Sequence, residues 1–336
     1  MKKIDTSVII VNWNGRVYLK DNINSLLKQT YKNFEIILID NGSNDDSISF
    51  VSKNFPNVRI IKNDKNLGFA KANNQGIKAS TGEYIITLNN DMMVNKNFLY
   101  ELVKVAKTKK EIGSVSAKIL FSRLPNLINS VGISILKNGN AINMGKFRNK
   151  NNFNKDIYIF GAPAGASLYK KDMLKNVGLF DEKYFCYLED VDLAWRAQLN
   201  GWKSLYAHSA IAFHVHSATS SKLKGFKIYY IERNRIKNLI KYFPLKYILL
   251  SPLYTLFLFF RISKIKSSKN SEIYKELNIN FIETLYYILK ANISNIFDII
   301  NLIKYRLYIK KNIQKISNKD VINLINNYAV KTSDLK

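Results

Sequence analysis

The chain has 336 residues, 47% hydrophobic and 12% aromatic, which suits one large domain with an appendage, or two domains, and excludes a disordered protein. Fifty-two Lys and Arg against 25 Asp and Glu give a formal net charge of +27, and the excess is uneven: residues 222–271 hold twelve basic side chains and one acid, Glu232. The lone Cys186 excludes an internal disulfide, no Cys and His cluster has zinc-ligand spacing, and the start is too short and polar for a secretory leader, so a cytoplasmic chain is expected.

From Ser7 to Leu88, short β-branched runs alternate with amphipathic ones. SVIIV at 7–11, FEIILID at 34–40, VRII at 58–61 and EYIITL at 83–88 read as buried strands, while Val17 to Leu27 and segments near 46–53 and 69–79 carry a helical period. That alternation predicts a parallel sheet with right-handed crossovers, in which ligands bind beyond the carboxyl ends of the strands. Three places qualify: Asn12 to Gly15, Asp40 to Ser43, and Asn89 to Asp91. A further strand is expected at 111–120, followed by irregular chain over 127–169 with short strands at 157–160 and 166–169. Residues 172–202 read as a short helix, a Gly-containing turn, an aromatic loop and a helix from Glu189 to Asn200 stopped by Gly201. From about 222 the texture changes to Lys, Arg, Tyr, Ile and Leu with few glycines, which places a domain boundary near 220 and divides the chain into 1–220 and 221–336.

The carboxylates at these places carry two readings each. Asp40, at a strand end beside a Gly turn, either caps the next helix or accepts hydrogen bonds from a nucleobase or ribose. Asp91 either caps the helix that follows or, with Asn89 in the same turn, offers oxygen ligands to a divalent cation whose other ligands come from a substrate diphosphate. Glu189, Asp190 and Asp192 open a helix that also carries Trp195 and Arg196. They either complement its dipole, or repel one another so that one keeps the raised pKa of a general base. His214 and His216, in FHVHSATSS, either share one strand face as metal ligands or are satisfied structural histidines.

Taken together, these stretches resemble the family 2 glycosyltransferases, inverting enzymes with a GT-A fold. The matching text is SVIIVNWNG (7–15), IILIDNGSNDDS (36–47), NLGFAKANNQGI (66–77), YIITLNNDMMV (84–94), GASLYKKDMLKNVGLFDEKYFCYLEDVDLAWRAQLNGW (165–202) and FHVHSATSS (213–221), in the family's order over about two thirds of the chain. The likeness is greatest to the rhamnosyltransferase-like branch, which builds bacterial surface polysaccharides. The resemblance implies an α/β fold, a Rossmann-like, mostly parallel mixed sheet flanked by helices. It implies that Val11, Asn12 and Asn14 line the nucleotide pocket, that Asp40 contacts the base, and that Asn66, Gly68 and Asn74 lie on a stretch wrapping the nucleotide, with Asn89 and Asn90 beside the diphosphate. Asp91 matches the last acid of the family's D-x-D and, with His214, would hold Mg2+ or Mn2+. Asn89 departs from the pattern, where many members have Asp. Asp190 matches the catalytic base, with Glu189 in support and Trp195 and Arg196 on the acceptor side. The implied reaction moves one sugar from a nucleotide-diphosphate sugar, dTDP-rhamnose or a UDP-hexose, to a hydroxyl of a glycan or polyprenyl-linked acceptor. Without a Q-x-x-R-W motif or multiple spans, a processive synthase is not expected.

Residues 242–262 place 14 uncharged residues between Lys246 and Arg261, interrupted by Pro252. That falls short of the roughly 20 needed to span a bilayer as a helix. Flanking cations and aromatic rings suit an in-plane or re-entrant anchor on an anionic membrane surface, so the C-terminal region is expected to be helical and membrane-associating, on the inner face of the cell membrane, and to offer a contact for homo-oligomers. Two other classes compete. A nucleic-acid-binding protein would interleave basic and aromatic residues, which the continuous apolar run here does not, so no nucleic-acid partner is expected. A sugar nucleotidyltransferase would carry a Gly-rich basic loop after its first strand, which NWNGRVYL does not resemble.

Overall fold

Four continuous apolar runs near the N-terminus become strands because a strand buried on both faces has no polar side to alternate with. They are β1 (Thr6–Asn12), β2 (Phe34–Asn41), β3 (Arg59–Asn63) and β4 (Tyr84–Asn89), connected by α1 (Arg16–Leu27), α2 (Ser47–Asn54) and α3 (Phe69–Ala79). The computed structural model describes residues 3–215, 224–266 and 281–330. They divide into two compact units, Met1–Ile133 with Asn143–Ala218, and Ser134–Ile142 with Thr219–Lys336.

In the first unit β5 (Met92–Val94), α4 (Phe98–Lys107), β6 (Ile112–Phe121) and β7 (Ile128–Ser130) follow, and the chain then makes a small two-stranded sheet of β8 (Ile133–Ile135) and β9 (Ala141–Asn143). After it come β10 (Ile157–Ile159), β11 (Ala166–Lys170), α5 (Lys171–Val177), α6 (Glu189–Leu199) and β12 (Lys203–His214). The main sheet runs β3-β2-β1-β4-β11-β6-β12-β10, with β5 added to β12 and β7 to β6. Pairs β1–β2, β2–β3, β1–β4 and β6–β12 are parallel, and β11 runs against both its neighbours. The result is a mixed sheet flanked by helices, whose core joins Val8, Ile10, Leu38 and Ile86 to Leu19, Ile23 and Leu102.

This order fixes where a ligand can bind. From β1 the chain moves outward through β2 and β3, then returns to place β4 on the other side of β1. The crevice opens beyond the carboxyl ends of the strands where the winding reverses, between β1 and β4. Register puts Asn12 opposite Asp40 and Val11 opposite Asn89, so the stretches singled out in sequence converge there.

The second unit holds α7 (Lys224–Tyr242), α8 (Leu245–Lys266), α9 (Phe281–Asn312) and α10 (Asn318–Tyr328), together with the excursion Ser134–Ile142. The excursion sits inside the stretch read from sequence as irregular chain of the first domain. It is tied to the helices by Val330 N–H donating to Ile135 O and by the Arg235 guanidinium donating to Asn138 O. The segment 242–262 takes in the end of α7, a turn at Pro244 and most of α8, which continues through Pro252. Among the described residues no helix is long and apolar enough to cross a membrane.

Candidate active site

The side chain of Asn12 joins three strand ends. Its Nδ2 donates to Asp40 Oδ1 and to Ser43 Oγ, both at 3.2 Å, and its Oδ1 accepts from Asn90 Nδ2 at 2.7 Å. Gly15 leaves the space for this junction, since a Cβ there would lie 2.0 Å from Asn90 Nδ2. Asn14 locks the neighbouring turn, its N–H donating to Ser43 Oγ and its Oδ1 accepting from the Asn44 N–H. Beneath the turn after β4, the buried Asn22 of α1 donates to the carbonyls of Asn89 and Met92. Sequence reading missed Asn22, because an amide that serves backbone carbonyls leaves no motif.

Asp40 is corrected by the structure. Its carboxylate has 0% exposure, with Oδ1 taken by Asn12 and Oδ2 by the Ser43 N–H at 3.1 Å, so it holds the turn after β2 and presents no surface to a base. The next residue, Asn41, clamps the 64–68 loop. It donates to Asn66 Oδ1 at 2.9 Å and accepts from the Leu67 N–H at 3.0 Å. Asn66 and Gly68 thus belong to one braced loop, with the Gly68 N–H donating to Asn66 Oδ1. At φ +87, and with Phe185 already 2.6 Å from where a Cβ would be, Gly68 is confined to glycine. Val11 and Asn89, Asn90 and Asp91 keep partial exposure at the mouth of the crevice.

Asp91 and His214 meet. The antiparallel pairing of β5 with β12 sets His214 opposite Met92, so its Nε2 lies 3.3 Å from Asp91 Oδ2, while the Val215 N–H donates to the Asp91 carbonyl. Both side chains stay partly accessible. A carboxylate and an imidazole next to each other make a donor pair that suits Mn2+ and leaves its remaining positions to a diphosphate. Among the described residues no third His, Cys, Asp or Glu completes the set. His216 lies outside the described residues. His208 turns to Asp156 instead, 2.6 Å away.

Glu189 and Asp190 are presented by a strained turn: Phe185, Tyr187 and Leu188 hold φ of 65°, 66° and 63°. Burial and the Asp190 charge push the Glu189 carboxyl well above the usual range, and its Oε2 is buried with no hydrogen-bond partner. Burial also raises Asp190, but three backbone N–H groups, Ala164 first, favour its ionised form. Both carboxyls are raised by burial, and the backbone N–H groups on Asp190 oppose that rise at Asp190. Asp190 alone retains partial exposure.

The loop 161–165, which sequence gave no reason to single out, links the two corners. The Ala164 N–H donates to Asp190 Oδ2 at 3.2 Å, and the next residue's carbonyl, Gly165 O, accepts from the Asn89 N–H at 2.8 Å. Backbone groups make both contacts, so no side-chain type advertises them.

Three expected site residues are structural. Trp195 and Arg196 are 0% and 1% exposed and do not face an acceptor. Arg196 pairs with the buried Asp192 through Nε at 2.9 Å and Nη2 at 2.7 Å, and donates to the carbonyls of Val177, Gly178 and Leu179. Asp192 and Arg196 are four residues apart on one helix face, so this pairing was readable from spacing. The Asp192 charge still adds to the upward push on Glu189, after burial and the charge of Asp190. Asn74 exchanges hydrogen bonds with the Phe180 backbone and reaches Glu182, holding α3 to the start of the aromatic loop.

The family profile described as "Glycosyl transferase family 2" matches residues 7–178, just over half of the chain. The chain is 36% identical over 107 residues to the glycosyltransferase GlyG of Streptococcus pneumoniae, covering 31% of this chain and 35% of that protein. It is 28% identical over 239 residues to the N-acetylglucosaminyl-diphospho-decaprenol L-rhamnosyltransferase of Mycobacterium tuberculosis, covering 64% of this chain and 76% of the relative. Among solved structures, the mannosyltransferase PcManGT of Pyrobaculum calidifontis, in complex with GDP-Man and Mn2+, superposes with a TM-score of 0.57 over 87% of each chain. At 13% identity that likeness establishes the GT-A-like fold alone.

Replacing Arg196 by Met strands a buried carboxylate and releases the 177–179 carbonyls. Arg196→Met is expected to cost about 3–5 kcal/mol of stability, read as a lowered urea midpoint.

Proposed function

Because the chain belongs to glycosyl transferase family 2 and so transfers sugar from a nucleotide-sugar donor, we propose that it moves a single sugar, with inversion, from dTDP-rhamnose or a UDP-hexose to a hydroxyl of a glycan or polyprenyl-diphosphate-linked acceptor in surface polysaccharide synthesis. The observation that carries this reading is the division of the crevice into two corners held one residue apart by the 161–165 loop. At one corner stand Asn12, Asn89, Asn90, Asp91 and His214; at the other stands Asp190. The similarity to an N-acetylglucosaminyl-diphospho-decaprenol L-rhamnosyltransferase supports the acceptor class.

The donor lies with its nucleotide against Val11, Asn14 and the braced 66–68 loop and its diphosphate toward the Asn89 to Asp91 turn. A divalent cation held by Asp91 and His214 would supply charge neutralisation for the departing diphosphate. Asp190 accepts the proton of the acceptor hydroxyl as its oxygen bonds to the anomeric carbon and the carbon–oxygen bond to the diphosphate breaks. Burial and the Asp190 charge raise the Glu189 carboxyl, which disfavours a second negative charge where the alkoxide develops. The apolar, aromatic segment 242–262 rests in the plane of the cytoplasmic leaflet, which brings the enzyme to a lipid-linked acceptor.

Asp190→Asn is expected to abolish transfer while nucleotide-sugar binding stays within a few-fold of wild type, because the base acts on the acceptor alone; turnover surviving within a few-fold sinks the assignment. In the wild type, burial raises the Asp190 carboxyl, and only its ionised form takes a proton. The acid limb of kcat against pH is therefore expected above the usual aspartate range of roughly 4, with rate rising as pH rises through it, measured in single-turnover transfer assays.

A further inference from the structure

The longest helix of the second unit is built inside out. Helix α9 packs against α7 with a face that carries Asn295, Asp298 and Arg306 beside Ala291, Leu302 and Ile309. Asn295 Nδ2 donates to Arg233 O, Asp298 pairs with Lys237 at 3.0 Å, and the Arg306 guanidinium donates to the carbonyls of Ile240 and Phe243. The opposite face is apolar and exposed. Leu285, Leu289, Ile293, Ile296 and Ile300 follow one another at steps of three and four, with Phe297 beside them at 85% exposure. A helix of a water-soluble bundle puts its apolar stripe inward, and this one turns it outward over most of its 32 residues.

We propose that this outward face of α9 lies in the interface of an anionic lipid bilayer, as a second membrane-contacting element independent of the 242–262 segment. It extends the lipid-side part of the reading above and does not depend on the transfer chemistry. Three observations favour lipid. The helix is about 48 Å long at 1.5 Å per residue, well beyond the roughly 30 Å hydrocarbon thickness, and it carries charges along its length, so it fits an in-plane helix and not a span. Lys290, Lys304, Lys310 and Lys311 are exposed on it against a single exposed acid, Glu283, which complements phosphate headgroups. That same excess opposes a second copy as occupant. A two-fold contact sets each patch against itself and would bring these lysines together with little acid to offset them. Polar groups turned inward and apolar ones outward is also the arrangement that hydrocarbon on one side stabilises.

The test is flotation of the full chain with phosphatidylcholine vesicles, with and without phosphatidylglycerol, for wild type and for I293E/I296E/I300E. Wild type is expected to float with the anionic vesicles. The triple variant is expected to fall at least tenfold in bound fraction, with unchanged helical circular dichroism and unchanged transfer to a water-soluble acceptor. Milder replacements, I293Q with F297Q, serve if the triple variant does not fold, with a smaller loss in the same direction. Equal flotation of wild type and α9 variants overturns the proposal. So does a wild-type dimer in lipid-free sedimentation that the variants convert to monomer without any vesicle binding. L249E/L253E, on α8, separates the readings: loss of flotation there alone leaves the 242–262 anchor standing and removes α9.

Discussion

A single buried amide holds the crevice together. Asn12 ends the central strand, and its side chain donates to the end of the strand on one side and to the turn after it, and accepts from the turn after the strand on the other. A carboxylate in its place would accept on both oxygens and lose the donation to Asp40, and an apolar residue would leave Asp40 Oδ1 and Asn90 Nδ2 unpaired; either costs about 1–3 kcal/mol for each stranded group. Because β1 is the strand where the winding reverses, this amide sets how far the Asp40 turn and the Asn89 to Asp91 turn stand apart.

The second constraint runs through backbone. Asp190 comes from a helix whose entry passes through three left-handed residues, a conformation that persists only when its surroundings enforce it. Asn74, Arg196 and the Ala70 N–H, which donates to Phe185 O, supply that enforcement from three directions. The loop 161–165 then ties Asp190 to the turn after β4. Asn74 and Arg196, expected at the site, brace the backbone that leads to it.

Much of the fold was legible because buried parallel strands are continuous apolar runs, and turn residues punctuate them at the right intervals. The small strands β7 to β9 were not, since three-residue elements leave no period to count. In the site, Asp91 with His214 was legible through the family resemblance, and their meeting rests on the β5–β12 register, which no local pattern encodes. Asp40 was misread because a strand-end carboxylate next to a Gly turn looks the same whether it faces a ligand or its own backbone. Trp195 and Arg196 were misread despite a usable signal, the four-residue spacing of Asp192 and Arg196. The contacts of Ala164 and Gly165 were beyond reach, being made by groups that every residue has.

The proposed diphosphate and metal corner is assembled by strand ends and completed by the donor. Thermal unfolding of wild type and Asp91→Ala with UDP, GDP or dTDP, each with and without Mn2+, tests this directly, since a ligand that binds the folded state raises its midpoint by mass action. At least one nucleotide is expected to raise the wild-type midpoint more with Mn2+ than the two do separately, and Asp91→Ala is expected to lose that excess. No shift with any nucleotide in the presence of Mn2+, or an undiminished excess in Asp91→Ala, would contradict it.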